Sequence, residues 1–115
     1  MFIESLKELF TRDLNKMKDE IALYPNEESI WIVDQGISNS AGNLCLHLIG
    51  NLNAYIGEVI GKTGYVRNRS DEFSLKNIPQ KTLIRRVEET VVDVNSSLDQ
   101  FPPADLKKDY PHEVL

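Results

Sequence analysis

Residues 39–60 read NSAGNLCLHLIGNLNAYIGEVI. Leu44, Leu48, Leu52, Tyr55 and Val59 recur at intervals of four and three, which places side chains on one face of an α-helix. Cys45, Ile49 and Ile56 widen that stripe, so the spacing predicts a single, mostly buried helix that carries His47 within it. Ser38 or Ser40 can cap its start by accepting a hydrogen bond from an orphan backbone N–H. Gly61 and Gly64 can end it, because glycine enters the left-handed conformation without a Cβ clash. Gly42, Gly50 and Gly57 lie inside, each at a cost of about 1 kcal/mol of helix propensity relative to alanine. Their spacing keeps them near one side, where a neighbouring helix could approach closely.

Two further helices flank this stretch. Over 2–24, Leu6, Phe10, Leu14, Met17, Ile21 and Tyr24 step by four and three, with charged residues on the other faces and Pro25 as a stop. Over 79–101, Leu83, Val87, Val91, Val94, Leu98 and Phe101 form a third stripe, opened by Pro79 in a first turn and closed by Pro102 and Pro103. A short helical turn near 28–33 would tuck Trp31 under the bundle as a core anchor. Residues 62–77 read as one long polar loop, of a length that is functional or mobile inside a compact domain. Helices of about 20 residues span roughly 30 Å each. The expectation is an all-α, up-and-down bundle forming a single domain over 1–115. The central helix is too apolar all round for three helices alone, and it expects more partners than the chain supplies.

Composition narrows the function. The chain has 115 residues and a net charge of -5, with a pI near 5.0. Its 13 basic residues are scattered, which argues against a nucleic-acid surface. No apolar run approaches the roughly 20 residues that cross a bilayer. The N-terminus MFIESLKELF has neither a basic region nor an apolar core of the signal-peptide kind, and one cysteine allows no intrachain disulfide. A cytoplasmic, soluble protein is expected.

The motif NSAGNLCLHLIGNL, followed by Arg67-x-Arg69-x-x-Glu72-Phe73, resembles the DinB-like superfamily, and more narrowly one of its uncharacterised branches. The likeness runs from the first helix to the tail. It implies a four-helix bundle with a divalent metal, zinc or nickel, held by three histidines. It further implies transferase, isomerase or hydrolase chemistry, in some members with a low-molecular-weight thiol such as bacillithiol or mycothiol. His47 matches the first of those histidines, on the second long helix. The other two usually stand as His-x-x-x-His on a fourth long helix, which this sequence does not reach. The expectation is therefore a partial metal site, completed in a longer form or by another chain.

Each candidate has a plainer alternative. His47 as a ligand needs at least two more N, O or S donors, with Asn51, one turn on, to orient its ring. Otherwise it is a buried histidine bonded to a carbonyl or to Asn51. His112, beside Pro111, reads as a solvated tail residue before it reads as a ligand. Cys45 and His47 are two apart and leave a helix on different sides, so Cys45 reads as a buried thiol. Arg67 and Arg69 either bind a carboxylate or phosphate in bidentate fashion, or pair with Asp71 and Glu72 and pin the loop. Tyr55 and Glu58 either line a pocket or simply pack and face solvent. At the level of function, the metal-dependent enzyme stands against a non-catalytic module that forms a homodimer through an uncovered apolar groove, and against a bundle that binds a small ligand in its interior.

Overall fold

The structure is a computed structural model that describes residues 2–33 and 39–100. Phe101, Pro102, Pro103 and His112, like Ser38, lie outside the described residues. Three long helical segments form where the stripes predict them. Helix α1 is Phe2–Ala22, and a 3-10 turn follows at Glu28–Trp31. Helix α2 is Ala41–Leu52, prolonged by a π-helical turn at Asn53–Glu58. Helix α4 is Gln80–Asp99. Between the last two stands a short helix, α3, at Arg69–Ser74. No strand occurs among the described residues.

Helices α1 and α4 run antiparallel along their lengths. Lys7 meets Asp99 at 2.7 Å, Asn95 donates to Thr11 Oγ1 at 3.1 Å, and Lys18 lies 3.6 Å from Glu88. Gln80 fastens the end of the pair: its side-chain amide donates to the Ile21 carbonyl at 2.7 Å and to that of Tyr24 at 3.3 Å. These are orphan carbonyls at a helix C-terminus, so the contact is a cap supplied from another helix. Helix α2 and its π turn lie against α4. The shared core holds Leu14 and Ile21 from α1, Ile49 and Ile56 from the α2 segment, and Leu83, Val87, Val94 and Leu98 from α4. Burying one such side chain is worth about 1.5–3 kcal/mol, so these stripes, rather than propensity, hold the helices together.

Three expectations change. The buried face of α2 runs through Cys45, Leu46, Ile49, Leu52 and Ile56, while Leu44 is 43 % exposed. The stripe is turned by about one residue from the leucine row, because Gly42, Asn43, Gly50 and Asn53 share the buried side. The segment is also not uniformly α-helical. At the π turn Gly61 N–H bonds to the Ile56 carbonyl at 3.2 Å, five residues back. Beside it, buried Asn53 donates to Ile49 O at 2.9 Å and to Thr90 Oγ1 at 3.0 Å on α4. Such insertions are rare and cluster at functional sites. Finally, residues 62–77 are not one loop, since α3 forms within them. Asn68 caps that helix by accepting from Asp71 N–H at 3.1 Å. The glycines of α2 make room for side chains of the elements packed on it: a Cβ at Gly42 would sit 2.6 Å from the Trp31 ring. Trp31 itself is buried in the core at the 3-10 turn.

Candidate functional site at His47

The site is built where α3 is laid across α2. Asn43, fully buried in the first turn of α2, draws the two together. Its side-chain amide donates to the carbonyls of Glu72 at 3.0 Å and Leu75 at 2.9 Å. Its Oδ1 accepts from Ser40 at 2.7 Å and from Lys76 at 2.5 Å. Ser40 in turn is the N-cap of α2 and accepts from Asn43 N–H. One asparagine thus joins the start of α2 to the end of α3.

That docking drives Glu72 down onto α2 at Gly50. A Cβ at position 50 would stand 1.8 Å from Glu72 Oε2, so only glycine leaves room for the carboxylate. Glu72 is 6 % exposed. It accepts a bidentate pair from Arg67, with Nε to Oε2 at 2.8 Å and Nη2 to Oε1 at 2.9 Å. His47, one turn before Gly50, meets Oε1 through Nδ1 at 3.0 Å. The Arg67 guanidinium also lies over the Tyr55 ring, 5.7 Å from its centre, a cation–π arrangement. Phe73 packs against the imidazole with ring centres 5.1 Å apart.

The electrostatics follow from these contacts. Burial pushes the Glu72 carboxyl up, but the hydrogen bonds from Arg67 and His47 and the Arg67 charge outweigh it and hold the group below its ordinary value. The Arg67 guanidinium is held up by its bond to Glu72. A carboxylate only accepts, so the 3.0 Å contact requires hydrogen on His47 Nδ1. The Arg67 Nη2 contact to the same nitrogen is longer, at 3.4 Å, and would require the opposite tautomer. The shorter bond to the ionised partner decides, so in the neutral ring the lone pair lies on Nε2. The His47 side chain is 32 % exposed, so the ring sits at the rim of the bundle rather than in its core, and its contacts with Glu72 and Arg67 run through Nδ1.

The sequence-predicted residues separate accordingly. His47 and Arg67 come together, and Glu72 joins them. Glu72 occupies the orienting place expected of Asn51, which is half-buried and makes no hydrogen bond with the ring. Arg69 is exposed in the first turn of α3 and pairs with no described carboxylate, so of the two arginines it is Arg67 that helps to pin the loop. Glu58 accepts the Gly64 N–H at 2.5 Å. Cys45 is fully buried, and burial raises its thiol to about 12, slightly countered by the Arg86 charge. Among the described residues, no three His, Cys, Asp or Glu side chains gather as a metal-donor set.

Residues 1–111 match the family model described as "Protein of unknown function (DUF1572)". The chain belongs to this family. Comparison with curated proteins and with solved structures gives no match. The match takes in all the elements that build the His47 cluster, from α1 through α4, so the cluster lies inside the family's domain. No described helix is long and apolar enough to cross a membrane.

Proposed function

We propose that this DUF1572 chain is a DinB-like protein with metal-dependent transferase or hydrolase chemistry, in which His47 Nε2 is one of the metal's donors. The observation that carries the reading is the 3.0 Å bond from His47 Nδ1 to Glu72. Metal-ligating histidines characteristically donate their other ring nitrogen to a carboxylate, which fixes the tautomer and raises the basicity of the ligating nitrogen. The described residues supply that one donor and its support. Glu72 is itself spent on Arg67 and His47, so the remaining donors come from outside the described residues or from a second molecule. A zinc or nickel ion held there lowers the pKa of a coordinated water or thiol. The chain's own contribution is positional: Gly50 admits Glu72, Glu72 orients His47, and Arg67 balances the carboxylate charge. Titration of the metal-free protein with Co(II) or Zn(II), followed by absorption and calorimetry, tests this. Binding that disappears in His47→Ala and weakens about 10–100-fold in Glu72→Ala supports it. Absence of binding, or equal binding by His47→Ala, rejects it.

A second reading rests on the apolar rim of the same site. Leu44 is 43 %, Phe73 38 % and Leu75 41 % exposed, Phe73 lies against His47, and Leu44 is one turn from His47 on α2. Packing of two copies over this rim would form a homodimer and cover it. Light scattering at micromolar concentration distinguishes the readings, and a monomer rejects the dimer.

A further inference from the structure

Helix α3 packs against α2 and stands off from α4, which leaves a cleft of about 250 Å³ between the 65–75 segment and α4. Its floor includes Leu46, 3 % exposed, and its walls include Tyr65, Leu75, Asp71 and the Arg86 side chain of α4. Glu72 forms part of the wall shared with the His47 cluster. Asp71 and Arg86 line the same cleft, yet neither takes part in an ion pair with the other or with any described side chain. Glu72 is already neutralised by Arg67. The cleft therefore presents one uncommitted cation and one uncommitted anion alongside the apolar Leu46 and Leu75.

We infer that this cleft is a binding site for a small zwitterion of the α-amino-acid class with an apolar side chain. Charge decides the class. A simple carboxylate would gain Arg86 and be repelled by Asp71, and a simple amine the reverse. A ligand carrying both charges satisfies both walls, since opposite-charge hydrogen bonds are the strong ones and like charges cost comparable amounts. The apolar side chain takes the Leu46 and Leu75 surface. The volume lies below the roughly 300–1,000 Å³ of drug-sized pockets, which fits a small metabolite. The inference does not depend on a metal at His47.

The test uses L-leucine, with 4-methylpentanoate and isoamylamine as single-charge analogues of the same carbon skeleton, titrated into the protein and followed by amide NMR. Leucine shifts the amides of Leu46, Asp71 and Arg86, and each analogue binds about tenfold or more weakly, one charged contact being worth at least that factor. Arg86→Gln and Asp71→Asn each reduce leucine binding about tenfold, whereas the exposed Arg69→Gln leaves it unchanged. No leucine shifts at millimolar concentration, or 4-methylpentanoate binding as tightly as leucine, overturns the inference. The analogue comparison needs no variant, so it decides the matter even where a substitution disturbs folding.

Discussion

Gly50→Ala is the substitution whose sign is most informative. In an ordinary helix interior, alanine in place of glycine stabilises by about 1 kcal/mol. Here the new methyl would lie 1.8 Å from Glu72 Oε2 and 2.6 Å from its Cδ. The carboxylate cannot move away without releasing Arg67 or His47, to which it is bonded at 2.8–3.0 Å. Breaking a buried ion pair costs roughly 3–5 kcal/mol. Arg67 keeps 15 % of its side-chain surface in water and a displaced Glu72 regains hydration, so about half of that cost, some 2 kcal/mol, is the appropriate figure. Set against the propensity gain, Gly50→Ala should destabilise by about 1 kcal/mol. Urea unfolding followed by circular dichroism measures it. The companion experiment is a double-mutant cycle: in a Glu72→Ala background the clash is gone, and Gly50→Ala should become stabilising by about 1 kcal/mol. Stabilisation by Gly50→Ala in the wild-type background would refute the close approach of Glu72 to α2.

Asn43→Ala removes a fully buried amide that holds the carbonyls of Glu72 and Leu75. It should cost about 2–3 kcal/mol, read by thermal or urea unfolding, and should raise hydrogen exchange across α3. Glu72 is held below its ordinary 4.5, so the unfolded chain binds its proton first as pH falls. The stability it contributes is present above about 4.5 and is lost as pH drops through the lower folded value. Glu72→Ala should therefore flatten the acid limb of a stability–pH profile and leave its slope near neutrality unchanged. Cys45, buried and raised to about 12, should resist a thiol-directed disulfide reagent at neutral pH and react only on unfolding.

The long helices were legible because their stripes are long. Leu14, Ile21, Leu83, Val87, Val94 and Leu98 all occupy the buried positions that four-and-three spacing assigned them. On α2 the pattern misled by about one residue, since glycines and asparagines carry much of the buried face and contribute nothing to an apolar count. Helix α3 escaped because six residues are too few to show periodicity, although Asn68 followed by Asp71 and Glu72 is an N-terminal capping signal that could have found it. The π turn had no such signal; in the structure it begins at Asn53, which bonds across to Thr90. At the site, the Arg67-x-Arg69-x-x-Glu72-Phe73 motif held the answer in pieces. Arg67, Glu72 and Phe73 all surround His47, and Arg69 does not. Sequence separation hid Glu72 as the partner of His47, 25 residues away, because only the Asn43 anchor and the gap above Gly50 bring the two together.

The orientation of the His47 ring underlies the functional reading, and nitrogen-15 NMR of the imidazole reports it. In the wild-type protein the neutral ring should carry its hydrogen on Nδ1, with Nε2 showing the shift of an unprotonated nitrogen, and Glu72→Ala should erase that preference. A hydrogen on Nε2 of the neutral ring in the wild-type protein would mean that Glu72 does not orient the ring, and Nε2, the proposed donor atom, would have no lone pair to offer.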